Sequence, residues 1–211
     1  MIAGLKAWWH GLRHLEHQGY LYVWANFCAL LVSIPIITAP AAWAGLMKMS
    51  HTAHRSRFVT LNDFWSGFRE NLPRGFVMFG LNVVIVGLNL INLWSFSLQS
   101  GLITNVLRTV WITVLLFWFT VQLYVWPIFY QMEQPTLWKA LKNAALMIVL
   151  NPWFTLGLWI GILPLLIVSV LLPPIFLLLT LAALSVVANS AVNDRLQAAG
   201  FKTEVLGEDS M

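Results

Sequence analysis

Long apolar stretches separated by short polar ones dominate the chain. No Asp, Glu, Lys, Arg or His occurs from Tyr20 to Met47, Gly75 to Ser100, Thr109 to Gln131, or Asn151 to Asn193. About 20 apolar residues suffice to cross the roughly 30 Å hydrocarbon layer, so the pattern predicts spans at about 20–47, 73–98, 107–126, 152–171 and 174–193. The expected fold class is an all-α membrane protein. It is a bundle of about five transmembrane helices in one domain over 20–193, with short amphipathic surface helices and a polar tail at 194–211.

The polar stretches carry their own periodicity. In residues 1–19, Leu5, Trp8, Trp9, Leu12 and Leu15 fall on one side of a helical wheel and His10, His14 and His17 on the other, predicting an interfacial helix lying flat on the membrane. Thr60-Leu61-Asn62-Asp63 reads as a capping box. It opens a short helix whose apolar stripe, with Phe64, Trp65 and Phe68, is a candidate partner-docking face. Residues 135–150 predict a second surface helix, and Thr136-Leu137 there echoes Thr60-Leu61. Pro35 and Pro40 flank Thr38 inside the first apolar segment and predict a kink, whose freed carbonyls require polar partners. Pro73 and Pro152 suit the first turns of the second and fourth spans, and Pro127 is expected to end the third.

Composition strengthens the membrane reading. Of 211 residues, 59% are hydrophobic and 9% charged, where a soluble domain carries about 25% charged residues to clothe its surface. Five of the 12 basic residues (Lys48, Arg55, Arg57, Arg69 and Arg74) lie in the first loop. That placement is topogenic and speaks against nucleic-acid binding. With five spans, three Lys or Arg fall on one side and nine on the other, which puts the C-terminus in the cytoplasm and the N-terminus outside. If the first segment re-enters instead, every cation but Arg108 lies on one side. The Ala42-Trp43-Ala44 triplet mimics a signal-peptide cleavage site, but the leader before it is too long and the basic loop after it would have to be translocated. Cys28 is the single cysteine, so no intrachain disulfide exists.

The same absence of charge limits the chemistry. Ion-coupled pumps bury ionisable groups, and intramembrane proteases need paired acids or a His-Glu-x-x-His helix; the spans offer neither. No enzyme activity and no cofactor are expected. The spans do carry neutral polar residues: Asn82 and Asn89 share one face of the second span, with Gly80 and Gly87 nearly opposite. That two-faced character predicts a central place in the bundle, with Thr113 and Thr120 of the third span answering the asparagines. Interhelical hydrogen bonding is one reading of these four residues and a path for a neutral solute is another. His10, His14 and His17 are weak candidates for Zn²⁺ or Cu²⁺ ligands.

Asn26, the run Ile34-Pro35-Ile36-Ile37-Thr38-Ala39-Pro40-Ala41-Ala42 and the run Phe64-Trp65-Ser66-Gly67-Phe68-Arg69-Glu70-Asn71 resemble the YesL-like family of bacterial membrane proteins. The resemblance is carried by residues 26–76, and Arg69 stands where that family usually has Lys. It implies about five spans in a bacterial plasma membrane and company with ABC-type sugar transporter subunits. It supplies no catalytic residues. The expectation is therefore an accessory or scaffold protein contacting the lipid bilayer and other membrane proteins, associated with carbohydrate uptake. The alternative is a permease for a neutral solute such as a sugar.

Overall fold

The computed structural model describes residues 1–16, 19–56 and 58–201. Its helices are α1 (Ile2–Glu16), α2 (Gly19–Ser33), α3 (Ala39–Arg55), α4 (Leu61–Glu70), α5 (Leu72–Ser95), α6 (Leu102–Gln131), α7 (Leu137–Leu150), α8 (Pro152–Leu171) and α9 (Pro173–Ala198). Four of them, α5, α6, α8 and α9, are long and apolar enough to cross a membrane. The protein is an all-α, multi-pass integral membrane protein.

Local chemistry sets the helix starts. At α4 the Asp63 carboxylate accepts from the Thr60 N–H at 2.8 Å and from its hydroxyl at 3.1 Å, satisfying a donor that the first turn leaves open. Thr136 opens α7, accepting from the Lys139 N–H. Pro73 and Pro152 sit in the first turns of α5 and α8, where a missing N–H costs nothing.

The segment 20–47, expected as one kinked span, folds instead as two helices. α2 has 15 residues, about 22 Å at 1.5 Å per residue and short of a hydrocarbon core of about 30 Å. The chain then reverses through residues 34–38. Pro35 lies in the turn, Ile36 adopts a left-handed φ of 57°, Thr38 precedes α3 and Pro40 occupies its first turn. The Thr38 hydroxyl donates to the Val32 carbonyl, and the Ile36 and Ala39 N–H groups find carbonyls within the turn, at 2.8 and 3.0 Å. The Tyr22 hydroxyl approaches that of Ser50, eleven residues before and after the turn's flanking helix ends, so α2 and α3 lie antiparallel. Two prolines plus a threonine that recovers a lost carbonyl make a reversal, not a bend.

Three other boundaries differ from expectation. Pro127 lies inside α6, which runs on to Gln131 because Trp126, Ile128 and Phe129 around it are core residues. α6 also begins earlier than expected, at Leu102, and Arg108 folds back to donate to the carbonyls of Phe96, Ser97 and Gln99, capping the end of α5. α9 continues to Ala198, into the region expected as tail; residues 202–211 lie outside the described residues.

α5 is not central. Only 11% of its most apolar stretch is buried, against 50% for α6 and 56% for α9. Its position follows from α6, whose residues 120–129 pack among α3, α7, α8 and α9, while α5 packs chiefly on α3, α4 and α6. α1 packs along α8 and α9. Its buried stripe is Gly4, Ala7, Gly11 and Leu15, while Leu5 and Trp9 are exposed. A Cβ added to Gly4 would stand 2.2 Å from the Phe154 carbonyl oxygen, and one on Gly157 would stand 2.0 Å from that of Met1. Ser190 of α9 donates to the Ala7 carbonyl at 2.9 Å. Backbones this close exploit dispersion that a larger residue would forbid.

Candidate functional site: an open glycine face on α5

The four neutral polar residues do not converge. Asn82 faces α6, where its Oδ1 accepts from Trp118 Nε1 at 2.8 Å and Gln122 Nε2 at 2.7 Å. Asn89 is buried, its amide donating to the Ile85 carbonyl of its own helix at 2.7 Å. Thr113 is exposed and donates to Thr109, one turn back. Thr120 faces α8, accepting from Trp159 Nε1 at 3.0 Å. The partners of Asn82 are Trp118 and Gln122, not the threonines. With Trp43 of α3 donating to the Gln122 carbonyl at 3.2 Å, three indoles fasten α3, α5 and α8 to the middle of α6. Gln122, the one glutamine in the interior of a span, was the sequence signal for this junction.

The aromatic residues of α4 point inward. Phe64 is fully buried; it meets Trp65 edge-on with centroids 5.2 Å apart and stacks on Phe68 at 6.4 Å. α4 docks on α3 where Gly45 meets Gly67: a Cβ on Gly67 would stand 3.0 Å from the Gly45 Cα. Phe64 is therefore core, a correction to its reading as a docking residue, while Trp65 and Phe68 are half-buried against it. The cause is the glycine crossing, which pulls the apolar stripe of α4 onto its own bundle.

His10 is exposed on α1. The His14 side chain and the whole of His17 lie outside the described residues. Among the described residues no group of three His, Cys, Asp or Glu side chains is placed to hold a metal ion.

Where α3, α5, α6 and α9 end together, three of the basic-loop cations, Lys48, Arg55 and Arg74, are held by side-chain contacts. Lys48 pairs with Glu70 at 2.7 Å. Arg55 donates to Gln131 Oε1 at 2.8 Å, and the Gln131 amide donates to Asn193. Arg74 donates to Asn71 Oδ1 at 3.0 Å and stands 5.1 Å over the Phe129 ring. Asn71 donates to the Tyr130 hydroxyl at 2.8 Å, which donates on to the Ala44 carbonyl at 3.0 Å. His51 stacks against Tyr130 with centroids 5.9 Å apart. Burial, helped by the Arg55 charge, pushes its pKa down to about 4, so this imidazole is neutral near pH 7. These contacts hold the helix ends in register.

What remains open is the outer side of α5. A Cβ at Gly80 or Gly87 would meet no heavy atom within 4 Å, unlike Gly75 lower on the same helix, where it would stand 2.7 Å from the Ala41 Cβ. Two glycines seven residues apart on an exposed helix face let a neighbouring backbone approach closely, the usual basis of helix association where lipid removes the hydrophobic drive. Comparison with protein-family models, with curated proteins and with solved structures finds no match.

Proposed function

We propose that this chain is an accessory or scaffold protein of a bacterial plasma membrane that seats a partner membrane protein on the Gly80–Gly87 face of α5. The observation that carries the reading is that open glycine face on a helix that is otherwise the least buried of the four spans. The basic-end network supports a holding role, since it stiffens the platform from which α5 and α6 project. Placement beside sugar ABC transporter subunits rests on the resemblance at residues 26–76 to the YesL-like family.

The topology that goes with this reading has four spans and a re-entrant α2–α3 hairpin, with both termini and the basic loop in the cytoplasm. Three features support it. α2 is too short to cross, α3 runs back antiparallel to it, and its turn is lined by the exposed Ile34, Ile36 and Ile37 with its backbone groups bonded locally, as irregular backbone in lipid requires. The basic residues then divide with only Arg108 on the outer side, a sharper asymmetry than five spans allow.

Gentle extraction of the C-terminally tagged protein from native membranes tests the function. A stoichiometric ABC permease subunit that co-purifies with the native chain, and is lost from Gly80→Ile and Gly87→Ile, is the expected result. A chain that emerges alone, or a subunit retained by both variants, contradicts it.

A further inference from the structure

The outward face of α1 is split into two rows. Ile2, Leu5 and Trp9, spaced three and four apart, form an exposed apolar row, and Lys6, His10 and Arg13 form an exposed polar row beside it that carries two cations, Lys6 and Arg13. A groove of about 300 Å³ runs along this boundary, lined by Ile2, Leu5, Lys6, Trp8, Trp9 and His10. The Arg13 guanidinium stands 5.7 Å over the Trp9 ring, so a second cation overhangs the groove. Positions 1–15 contain no acidic residue. The opposite face is locked by its glycines onto α8 and α9, two helices long and apolar enough to cross a membrane, so the groove is held rigidly on the outer surface of the bundle.

We propose that this groove binds one anionic phospholipid. An acyl chain lies against Ile2, Leu5, Trp8 and Trp9, and the headgroup phosphate meets Lys6, His10 and Arg13. The charge argues for an anionic lipid over a zwitterionic one: a choline or ethanolamine cation would face the same uncompensated positive row. The depth argues for a lipid over free phosphate, because four of the six lining residues are apolar and Trp8 continues the groove down to Gly161, where an added Cβ would stand 2.5 Å from the indole. Basic groups near a membrane surface each contribute about a fivefold preference for anionic lipid.

The full chain, reconstituted in vesicles of equal parts phosphatidylcholine and phosphatidylglycerol and then released into mild detergent, is weighed by native mass spectrometry. Preferential retention of phosphatidylglycerol is expected. The Lys6→Gln/Arg13→Gln double variant, which changes only exposed side chains, is expected to lose that preference by roughly tenfold or more. Equal retention of the two lipids by the native chain overturns the proposal without recourse to any variant. A preference unchanged in the double variant overturns it too. A lipid-free dimer that the double variant abolishes assigns the groove to a second copy of the chain, and likewise overturns it.

Discussion

Asn26 and Ala182 are 156 residues apart in sequence, and the Ala182 N–H donates to the Asn26 side-chain oxygen at 3.0 Å. The same side chain donates to the carbonyls of Leu177 and Phe176, at 2.7 and 3.1 Å. α9 opens into a π turn over Phe176–Thr180, and such a turn releases backbone groups from the helical ladder. In lipid those groups have no water to turn to. One buried amide supplies both a donor and an acceptor, and in doing so fixes the α2–α3 hairpin to α9. Ser169 and Thr180, their hydroxyls 2.6 Å apart, tie α8 to the same turn.

Replacing Asn26 with Val keeps the volume near its original value and leaves these three backbone groups without partners. A loss of about 2–4 kcal/mol is expected, read as a fall in the thermal midpoint of the detergent-purified protein. Ser33→Ala, which removes only a hydroxyl bonded to its own helix at Ala29, is expected to leave the midpoint nearly unchanged.

The glycines divide into two groups with opposite expectations. Gly4→Val and Gly157→Val put a Cβ within 2.2 Å of a facing carbonyl oxygen. They are expected to undock α1, costing several kcal/mol and opening the N-terminal segment to added protease. Gly80→Val and Gly87→Val meet open space, and the isolated protein is expected to melt within about 1 kcal/mol of the native chain.

Asn82 and Gln122 are coupled directly. A double-mutant cycle with Asn82→Ala and Gln122→Ala is expected to give an interaction energy of about 0.6 kcal/mol, the average for hydrogen bonds between helices in membranes. The matching cycle with Asn82→Ala and Thr113→Ala is expected to give none, since Thr113 bonds its own helix.

His51 makes stability depend on pH. Its pKa falls from an ordinary 6.5 to about 4 in the folded chain. Between those values the unfolded chain binds a proton that the folded chain refuses. The contribution is thus fully present above pH 6.5 and lost as the pH falls toward 4. From pH 7.5 to 5 it amounts to about 1–2 kcal/mol. His51→Gln is expected to flatten that part of the profile, measured as thermal midpoint against pH.

Much of this fold was legible in the sequence, and the failures share one cause. The limits of α8 match expectation at both ends because Asn151-Pro152 and Leu172-Pro173 are strong local signals. Thr60 and Thr136 mark α4 and α7 for the same reason. Pro35, Thr38 and Pro40 mark an interruption, but the left-handed Ile36 that completes the reversal has no sequence signal, and the Asn26 contact with α9 that accompanies it joins residues 156 apart. Apolar residues likewise do not say which face of a helix is inside when the surrounding solvent is itself apolar. That is why α1 buries Gly4, Ala7 and Gly11 and exposes Trp9, and why α5, with its asparagine and glycine faces, lies at the edge. The aromatic stripe of α4 read as available because its partner, the Gly45–Gly67 crossing, joins residues from separate helices. Of the proposed partner site, Gly80 and Gly87 were visible as a spacing; that one face would stay open was not.

The most direct test of the four-span account is the side of the membrane on which the N-terminus lies. Cys28 is the one native thiol, and Cys28→Ser gives a background for single cysteines placed ahead of Met1, at Ser100 and at Ser210. Intact cells treated with a membrane-impermeant maleimide should label Ser100→Cys alone. The two terminal cysteines should react only after the membrane is opened. Labelling of the N-terminal cysteine from outside, with the C-terminal one protected, would put α2 and α3 across the membrane and contradict the re-entrant hairpin.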